Sequence, residues 1–191
     1  MDSHFEKIIK ELERQPIPNN RHRLSSGVGQ TQTFGVVNRR CCPADFSAFS
    51  FERPYLYKLL LDFGSEFITG IKWNAITINQ NYKCGIHRDK HNGGDSIIVA
   101  FGSFEGGELE LHESDLKGIH NIKHKLLQHD FSKTYHSVLP FTGNRYSLVY
   151  YNRPTKTELP KPSVKFEENK WVFYRGESKE RLTDHPLRRP S

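Results

Sequence analysis

The sequence predicts a mostly β protein with flanking helices, arranged as a β-sandwich or a jelly-roll barrel. The middle of the chain contains several short β-type segments that are separated by Gly and Asn/Asp clusters. Short strands with this punctuation are typical of sandwiches and jelly rolls. The aromatic content of 12% also fits a β-rich core. The predicted strands span residues 73–80, 96–101, 108–112, 125–128 and 146–151.

The N-terminal part of the chain predicts helices instead. Ser3 and Glu6 have the spacing of a capping box, which places the start of a helix at Ser3. The apolar residues at positions 5, 8, 9 and 12 share one helical face, and Pro16 ends this helix. Pro54 suits the first turn of a second helix, for which Gly64 is the predicted C-terminal cap.

The remaining segments predict connections and a terminal hairpin. Residues 19–32 are polar, basic and glycine-bearing, as expected for a loop, and residues 33–38 form a short strand. Residues 163–166 and 171–174 are β-type segments on either side of a polar turn, which predicts a hairpin. Residues 184–191 contain proline and arginine and are expected to be mobile.

Composition restricts the cellular setting and the partners. A chain of 191 residues can form one domain with a substantial core. Two of its three cysteines, Cys41 and Cys42, are adjacent, which favours a reducing intracellular compartment (nucleus or cytoplasm) over secretion. No signal peptide and no membrane-spanning run is visible, so no membrane partner is expected. The net charge of +6 favours a phosphate-rich partner.

His87, Asp89 and His136 form the strongest candidate site. If the chain is extended here, His87 and Asp89 leave the same face of a strand and can occupy adjacent corners of one metal ion. His136 lies in a second extended-looking segment and supplies a third corner. Two histidines and one carboxylate are the facial triad of non-haem Fe(II) oxygenases, which leaves open positions on the metal.

Arg145 and Ser147 are the candidate anchor for a co-substrate. In a strand, residues two apart share a face, so the guanidinium fork and the hydroxyl can hold one carboxylate together. A dicarboxylic acid that chelates iron through one end needs such an anchor at the other. An isolated His-X-Asp pair arises by chance in many proteins, but the later His and the Arg-X-Ser pair favour a functional iron site.

Together these motifs resemble the 2-oxoglutarate/Fe(II) dioxygenase superfamily over residues 73–153. The resemblance implies a double-stranded β-helix (jelly-roll) core that binds Fe(II), 2-oxoglutarate and O2. The two histidines and the aspartate described above would be the iron ligands. Arg145 and Ser147 would hold the far carboxylate of 2-oxoglutarate.

The resemblance also implies a domain organisation. Residues 1–191 would form a single dioxygenase domain. Its helices and a substrate loop would occupy residues 1–70, its core residues 71–153, and a C-terminal extension residues 154–191.

The residues after the first histidine are more specific. His-Arg-Asp-Lys-His-Asn at residues 87–92, together with residues 145–151, is similar to the TET/JBP branch, which oxidises the 5-methyl group of pyrimidines in nucleic acid. In TET enzymes the asparagine at the position of Asn92 contacts the flipped cytosine. Those enzymes carry a base-contacting histidine where this chain has Arg153, and arginine only donates hydrogen bonds. This departure leaves both 5-methylcytosine and thymine open as targets.

The function implied is hydroxylation of a pyrimidine 5-methyl group in nucleic acid, with DNA favoured. Since a methyl group inside a duplex cannot reach buried iron, the base must be flipped or already single-stranded. One alternative is an AlkB-like N-alkyl demethylase, although Asn79 and His87 are closer in sequence than that class usually has them. The others are a protein side-chain hydroxylase and a nucleic-acid-binding module with a vestigial iron site.

Further candidates follow from position and charge. Asn79 and Tyr82 precede the triad and are candidates for contact with 2-oxoglutarate, with a core role left open for Tyr82. Four arginines are candidates for holding a nucleic-acid backbone, with ordinary surface charge as the alternative: Arg21, Arg23, Arg39 and Arg40. Four other histidines are expected in solvated loops rather than in a second metal site: His112, His120, His124 and His129.

Overall fold

A computed structural model describes residues 1–18, 27–39 and 42–176, apart from the side chains of Arg39 and Cys42. The helices are α1 (Asp2–Arg14), α2 (Ala48–Glu52) and α3 (Pro54–Phe67). The strands are β1 (Gly27–Arg39), β2 (Cys42–Phe46), β3 (Ala75–Cys84), β4 (Ser96–Phe101), β5 (Phe104–Gly106), β6 (Leu109–Leu111), β7 (Gly118–His120), β8 (Leu127–His129), β9 (His136–Val138), β10 (Phe141–Gly143), β11 (Tyr146–Tyr151), β12 (Ser163–Glu167) and β13 (Lys170–Tyr174).

The strands form one large antiparallel sheet and several small ones. The large sheet has the order β2-β1-β3-β11-β4-β8. A three-stranded sheet has the order β7-β6-β9, while β5 pairs with β10 and β12 pairs with β13. The predicted mostly β architecture with flanking helices is therefore confirmed.

Apolar side chains pack against both faces of the large sheet. Leu148 and Tyr150 of β11 belong to the cluster that includes the buried faces of α1 and α3. The alternate residues Ser147 and Val149 line a cavity on the other face. This alternation follows from the two-residue period of a strand. A second apolar cluster fills the rest of that face, between β4 and β6.

Several predicted elements coincide with the structure. Strands β4 and β11 match predicted segments 96–101 and 146–151. The C-terminal hairpin is confirmed, with Glu168 and Asn169 at φ of 49° and 61° in its turn. Positive φ at both central residues is what a two-residue hairpin turn of type I′ requires. No described helix has the length and apolar character needed to cross a membrane.

The loop predicted for residues 19–32 is wrong where the structure describes it, because β1 begins at Gly27. Thr31 and Gln32 are polar yet buried. The Gln32 side chain accepts a hydrogen bond from Arg53 at 2.8 Å, and Thr31 lines the cavity. A strand that buries polar groups does not show the apolar alternation by which strands are recognised.

Both predicted helix caps are also wrong. Helix α1 begins at Asp2, with Met1 in the N-cap position and without a side-chain capping bond, so Ser3 lies inside the helix. Helix α3 continues past Gly64 to Phe67. A Cβ atom on Gly64 would lie 2.7 Å from the rings of Trp73 and Tyr150. This glycine therefore allows close packing and does not end the helix.

Candidate metal and co-substrate site

His87, Asp89 and His136 meet at one point in the structure. One potential ligand atom from each residue lies within 4.8 Å of the other two. His87 Nε2 lies 3.7 Å from Asp89 Oδ1, and the imidazole centroids of the two histidines are 4.3 Å apart. Within the described residues, this is the one cluster of three or more such side chains. The predicted group of ligands is thus brought together.

Backbone hydrogen bonds hold these residues in place. The amide of His87 donates to the carbonyl of His136 at 3.0 Å, and the amide of His136 donates back at 2.9 Å. This reciprocal pair joins two antiparallel segments at the two histidines themselves. The amide of Asp89 donates to the carbonyl of Phe131 at 2.9 Å. The phenyl ring of Phe131 also packs against the His136 imidazole, with centroids 4.9 Å apart.

Both imidazole rings are oriented through Nδ1. In His87 this atom lies 2.8 Å from the carbonyl oxygen of Gly85, and in His136 it lies 3.0 Å from that of Thr134. A carbonyl oxygen only accepts, so Nδ1 carries the proton in both rings. This leaves Nε2 of each ring as the atom that can bind a metal once it is unprotonated, which is the arrangement that supports metal-binding histidines.

The two histidines differ in their electrostatic surroundings. A hydrogen bond with the Cys84 side chain raises the pKa of His87 to about 9, against the opposing effect of burial; the Gly85 carbonyl and the Asp89 carboxylate also raise it. Burial lowers the pKa of His136, which is 6% exposed. The His87 imidazole therefore holds a proton more tightly than the His136 imidazole does, and a metal ion competes with that proton.

Arg145 is a buried cation with an incomplete set of partners. Its side chain is 2% exposed, and burial lowers its pKa to about 10. Nε donates to the carbonyl of Gly107 at 3.1 Å, whereas one terminal nitrogen has no hydrogen-bond partner among the described residues. Gly107 has a φ of 72°, and a Cβ there would lie 2.8 Å from Arg145 Nε, so only glycine fits this approach.

Polar side chains from neighbouring strands line the same cavity as Arg145. Ser147 lines the same cavity, and its hydroxyl lies 3.2 Å from the amide nitrogen of Asn79 on β3. Tyr82, also on β3, contributes to the cavity wall. The four residues predicted to contact a co-substrate, Asn79, Tyr82, Arg145 and Ser147, therefore line one space. The cavity has a volume of about 370 Å³ and is shared with the His-Asp-His cluster.

Asn92 and Arg153 also line this cavity. The Asn92 amide nitrogen lies 3.4 Å from Asp89 Oδ2 and 3.3 Å from the hydroxyl of Ser96, which leaves its carbonyl oxygen available as an acceptor. Arg153 donates to the carbonyl of His91 at 3.4 Å, and its Nε has no partner among the described residues. Both predicted base-contacting residues are thus beside the candidate metal ligands.

The side chains of the arginines predicted to hold a nucleic-acid backbone lie outside the described part of the structure. Arg21, Arg23 and Arg40 lie outside the described residues, as does the side chain of Arg39. The other histidines have local partners: His112 and His129 lie 3.0 Å and 2.7 Å from the hydroxyls of Ser137 and Thr134, His120 lies 2.6 Å from a backbone carbonyl, and His124 pairs with Asp2 at 2.9 Å.

Sequence reasoning missed several residues that line the cavity, among them Thr31, Cys84, Arg88 and Phe131. Arg88 lies between two predicted ligands, and its guanidinium is 4.3 Å from the ring centroid of Tyr135. Cys84 ends β3 three residues before His87, and this proximity was a signal that could have been used. Phe131 comes from the connection between β8 and β9, where the sequence offers no comparable signal.

The donor atoms fit a divalent metal ion such as Fe(II). Two neutral imidazole nitrogens and one carboxylate are a donor set suited to this ion, and the carboxylate offsets part of its charge. The unpaired nitrogen of Arg145 fits a carboxylate at the other side of the cavity, because a guanidinium binds carboxylates through parallel N–H groups. The residues present therefore fit a metal together with a dicarboxylic acid.

Several solved structures have a fold similar to that of this chain. NgTET1 in complex with 5mC DNA aligns with 80% of this chain and 70% of its own, at a TM-score of 0.51 and 17% identity. A prolyl-4-hydroxylase from Pseudomonas putida has a TM-score of 0.48 at 16% identity, covering 80% of this chain and 87% of its own. OsALKBH1 has a TM-score of 0.48 at 11% identity, covering 79% and 93%.

No protein-family model matches the sequence, and no curated protein matches it. The likeness to NgTET1 confirms the predicted jelly-roll fold. At 17% identity this likeness establishes the fold alone.

Replacement of Asp89 by asparagine tests the metal site. We expect Asp89→Asn to weaken Mn(II) or anaerobic Fe(II) binding by more than about tenfold, since even residues that only orient ligands contribute ten- to hundredfold. The amide keeps the shape of the carboxylate but loses its charge. Isothermal titration calorimetry measures the affinity. Asp95→Asn is the matched control, because Asp95 accepts a hydrogen bond from Gln128 instead. Equal affinities in the two variants would contradict the assignment.

Proposed function

We propose that this protein is an Fe(II)- and 2-oxoglutarate-dependent dioxygenase and that residues 1–191 form one domain of this kind. The observation that carries the proposal is the shared cavity. The His87–Asp89–His136 cluster and Arg145, whose guanidinium has an unpaired nitrogen, line the same space of about 370 Å³. When bound, Fe(II), 2-oxoglutarate and O2 supply oxidative decarboxylation to succinate and CO2, coupled to hydroxylation of a substrate C–H bond.

Different residues of the chain would bind the metal ion and the co-substrate. His87 and His136 would hold the metal through Nε2, because Nδ1 of each ring is engaged with a backbone carbonyl. Asp89 would complete the set of ligands, and its carboxylate would lower the net charge of the metal ion with its ligands. Arg145 and Ser147 would hold the far carboxylate of 2-oxoglutarate.

Asn79 and Tyr82 would orient this co-substrate from β3. Both side chains line the cavity, and the amide group of Asn79 already contacts the Ser147 hydroxyl. Apolar side chains also line the cavity and would limit the water around a bound ligand, which strengthens the bond between its carboxylate and the guanidinium. These side chains are Ile98, Leu109, Phe131, Val138 and Val149.

The charge of the cavity supports a polyanionic substrate. Arg88, Lys90 and Arg153 line it in addition to the buried Arg145. Among the described lining residues, Asp89 is the one acid, and a metal would neutralise it. An excess of cations around an active site attracts phosphate groups and would position a strand across the opening. We therefore propose nucleic acid, with DNA favoured, as the substrate polymer.

The residues beside the metal ligands support a 5-methylpyrimidine as the target base. Asn92 is fixed through its amide nitrogen, so its carbonyl oxygen can accept a hydrogen bond from an exocyclic amino group. Arg153 can donate to a base carbonyl through its unpartnered nitrogen. On its Watson–Crick edge, 5-methylcytosine offers both an amino group and a carbonyl, whereas thymine offers two carbonyls and a ring N–H but no amino group. NgTET1, whose fold is similar, was solved with 5mC DNA.

Mass spectrometry of nucleosides tests this proposal directly. The protein is incubated with Fe(II), 2-oxoglutarate and single- or double-stranded DNA and RNA that contain thymine or 5-methylcytosine. We expect succinate release that depends on substrate, together with a 5-hydroxymethyl nucleoside. Loss of N-methyl groups would instead indicate AlkB-like demethylation. Turnover only with prolyl or lysyl peptides would indicate a protein hydroxylase. A failure to release succinate with any substrate would contradict the dioxygenase proposal.

Arg153 provides a test of base choice. We expect Arg153→His to raise the preference for 5-methylcytosine over thymine by at least about fivefold, the low end of what one base contact contributes. The physical reason is that a neutral histidine can accept a hydrogen bond from an amino group, whereas arginine only donates. The measurement is competition between two labelled oligonucleotides. Arg175→His is the control, because Arg175 pairs with Asp45 and does not line the cavity. An unchanged preference would show that Arg153 does not read the base.

A further inference from the structure

Cys84 lines the cavity that also contains the candidate metal ligands and the candidate anchor. It is the last residue of β3 and lines the same space as His87 and Arg145. Its side chain acts to raise the pKa of His87, and it opposes the lowering of the pKa of Arg145 by burial. A ligand that fills this cavity therefore shares its walls with this sulfur.

The thiol is also reachable from outside. Cys84 is a free cysteine of intermediate exposure, and the cavity that it lines opens to solvent. Arg145 supplies the independent observation that an anion is expected here. It is 2% exposed, and its unpaired terminal nitrogen belongs to a side chain that lines this cavity. An anionic group on the Cys84 sulfur would thus be placed near a buried cation that has a free donor.

We infer that Cys84 is an oxidation site for hydroperoxides, and that the resulting sulfinate closes the cavity to 2-oxoglutarate. The anion would occupy the donor of Arg145 that a carboxylate otherwise needs. Two added oxygen atoms would also fill space beside His87. The identification of the excluded ligand as 2-oxoglutarate rests on the function proposed above. The oxidation of Cys84 does not depend on that proposed function.

The chemistry needs only a hydroperoxide. The sulfur attacks one peroxide oxygen, an S–O bond forms as the O–O bond breaks, and the other oxygen leaves as water when H2O2 is the oxidant. The thiol loses two electrons and becomes a sulfenic acid, and the peroxide is reduced. A second equivalent repeats this step and gives the sulfinic acid, which loses its proton and is an anion at neutral pH.

Peptide mapping tests the modification. Trypsin cleaves after Lys83 and Arg88, so the resulting peptide contains Cys84 but neither Cys41 nor Cys42. After treatment of the whole protein with H2O2, we expect this peptide to gain first one and then two oxygen atoms. Prior addition of Mn(II) and 2-oxoglutarate should slow the gain, because the ligand covers the sulfur. If the peptide stays unmodified while the protein is oxidised elsewhere, the inference is wrong.

Binding measurements test the consequence. Calorimetry of 2-oxoglutarate with Mn(II), which avoids turnover, should show at least about tenfold weaker binding after peroxide, since Arg145 loses a charge-assisted bond. In Cys84→Ala, the affinities before and after peroxide should be equal. A loss of binding that persists in this variant would place the sensitive group elsewhere and overturn the inference. If untreated protein binds no 2-oxoglutarate, the proposed function fails, while oxygen atoms mapped to Cys84 would still support the modification site.

Discussion

The candidate site depends on one reciprocal pair of backbone hydrogen bonds, between His87 and His136. These bonds join two segments that are far apart in sequence, and they do so at the two residues whose imidazoles must meet. Because the pair is antiparallel, both side chains leave the same face of the ladder. Asp89 lies on that face two residues further on, held by the carbonyl of Phe131. A shift of one residue in this pairing would turn the histidines outward.

A second constraint is the burial of Arg145. Removing a guanidinium from water is costly unless its donors are satisfied, and one terminal nitrogen has no partner in the described part of the chain. Phe104 and Phe141 lie near the guanidinium, with ring centroids 5.5 Å and 5.6 Å from its carbon, and Gly107 allows its close approach. Stability alone does not explain such an arrangement. The carboxylate ligand proposed above, which completes the set of partners, would explain it.

The chemistry of the site was predicted from the sequence more accurately than the strands and side chains that support the site. Strands β3, β4, β8 and β11 of the large sheet and the grouping of His87, Asp89 and His136 were predictable, since they follow from period-two patterns and from donor chemistry. Three-residue strands such as β7 are too short to show a period. The start of strand β1 was missed because its buried residues are polar. The position of Cys84 in the cavity was missed because a single cysteine forms no sequence pattern. Both the start of this strand and the position of this cysteine depend on tertiary contacts.

The central claim is that one ligand spans the cavity from the metal cluster to Arg145. Calorimetric titration of 2-oxoglutarate and glutarate, with and without Mn(II), into wild-type protein and Arg145→Gln tests it most directly. We expect Mn(II) to strengthen binding of 2-oxoglutarate but not of glutarate, which lacks the chelating oxo group. Arg145→Gln should weaken the binding of 2-oxoglutarate by about tenfold or more. Binding that is independent of Mn(II), or unchanged in Arg145→Gln, would contradict the claim.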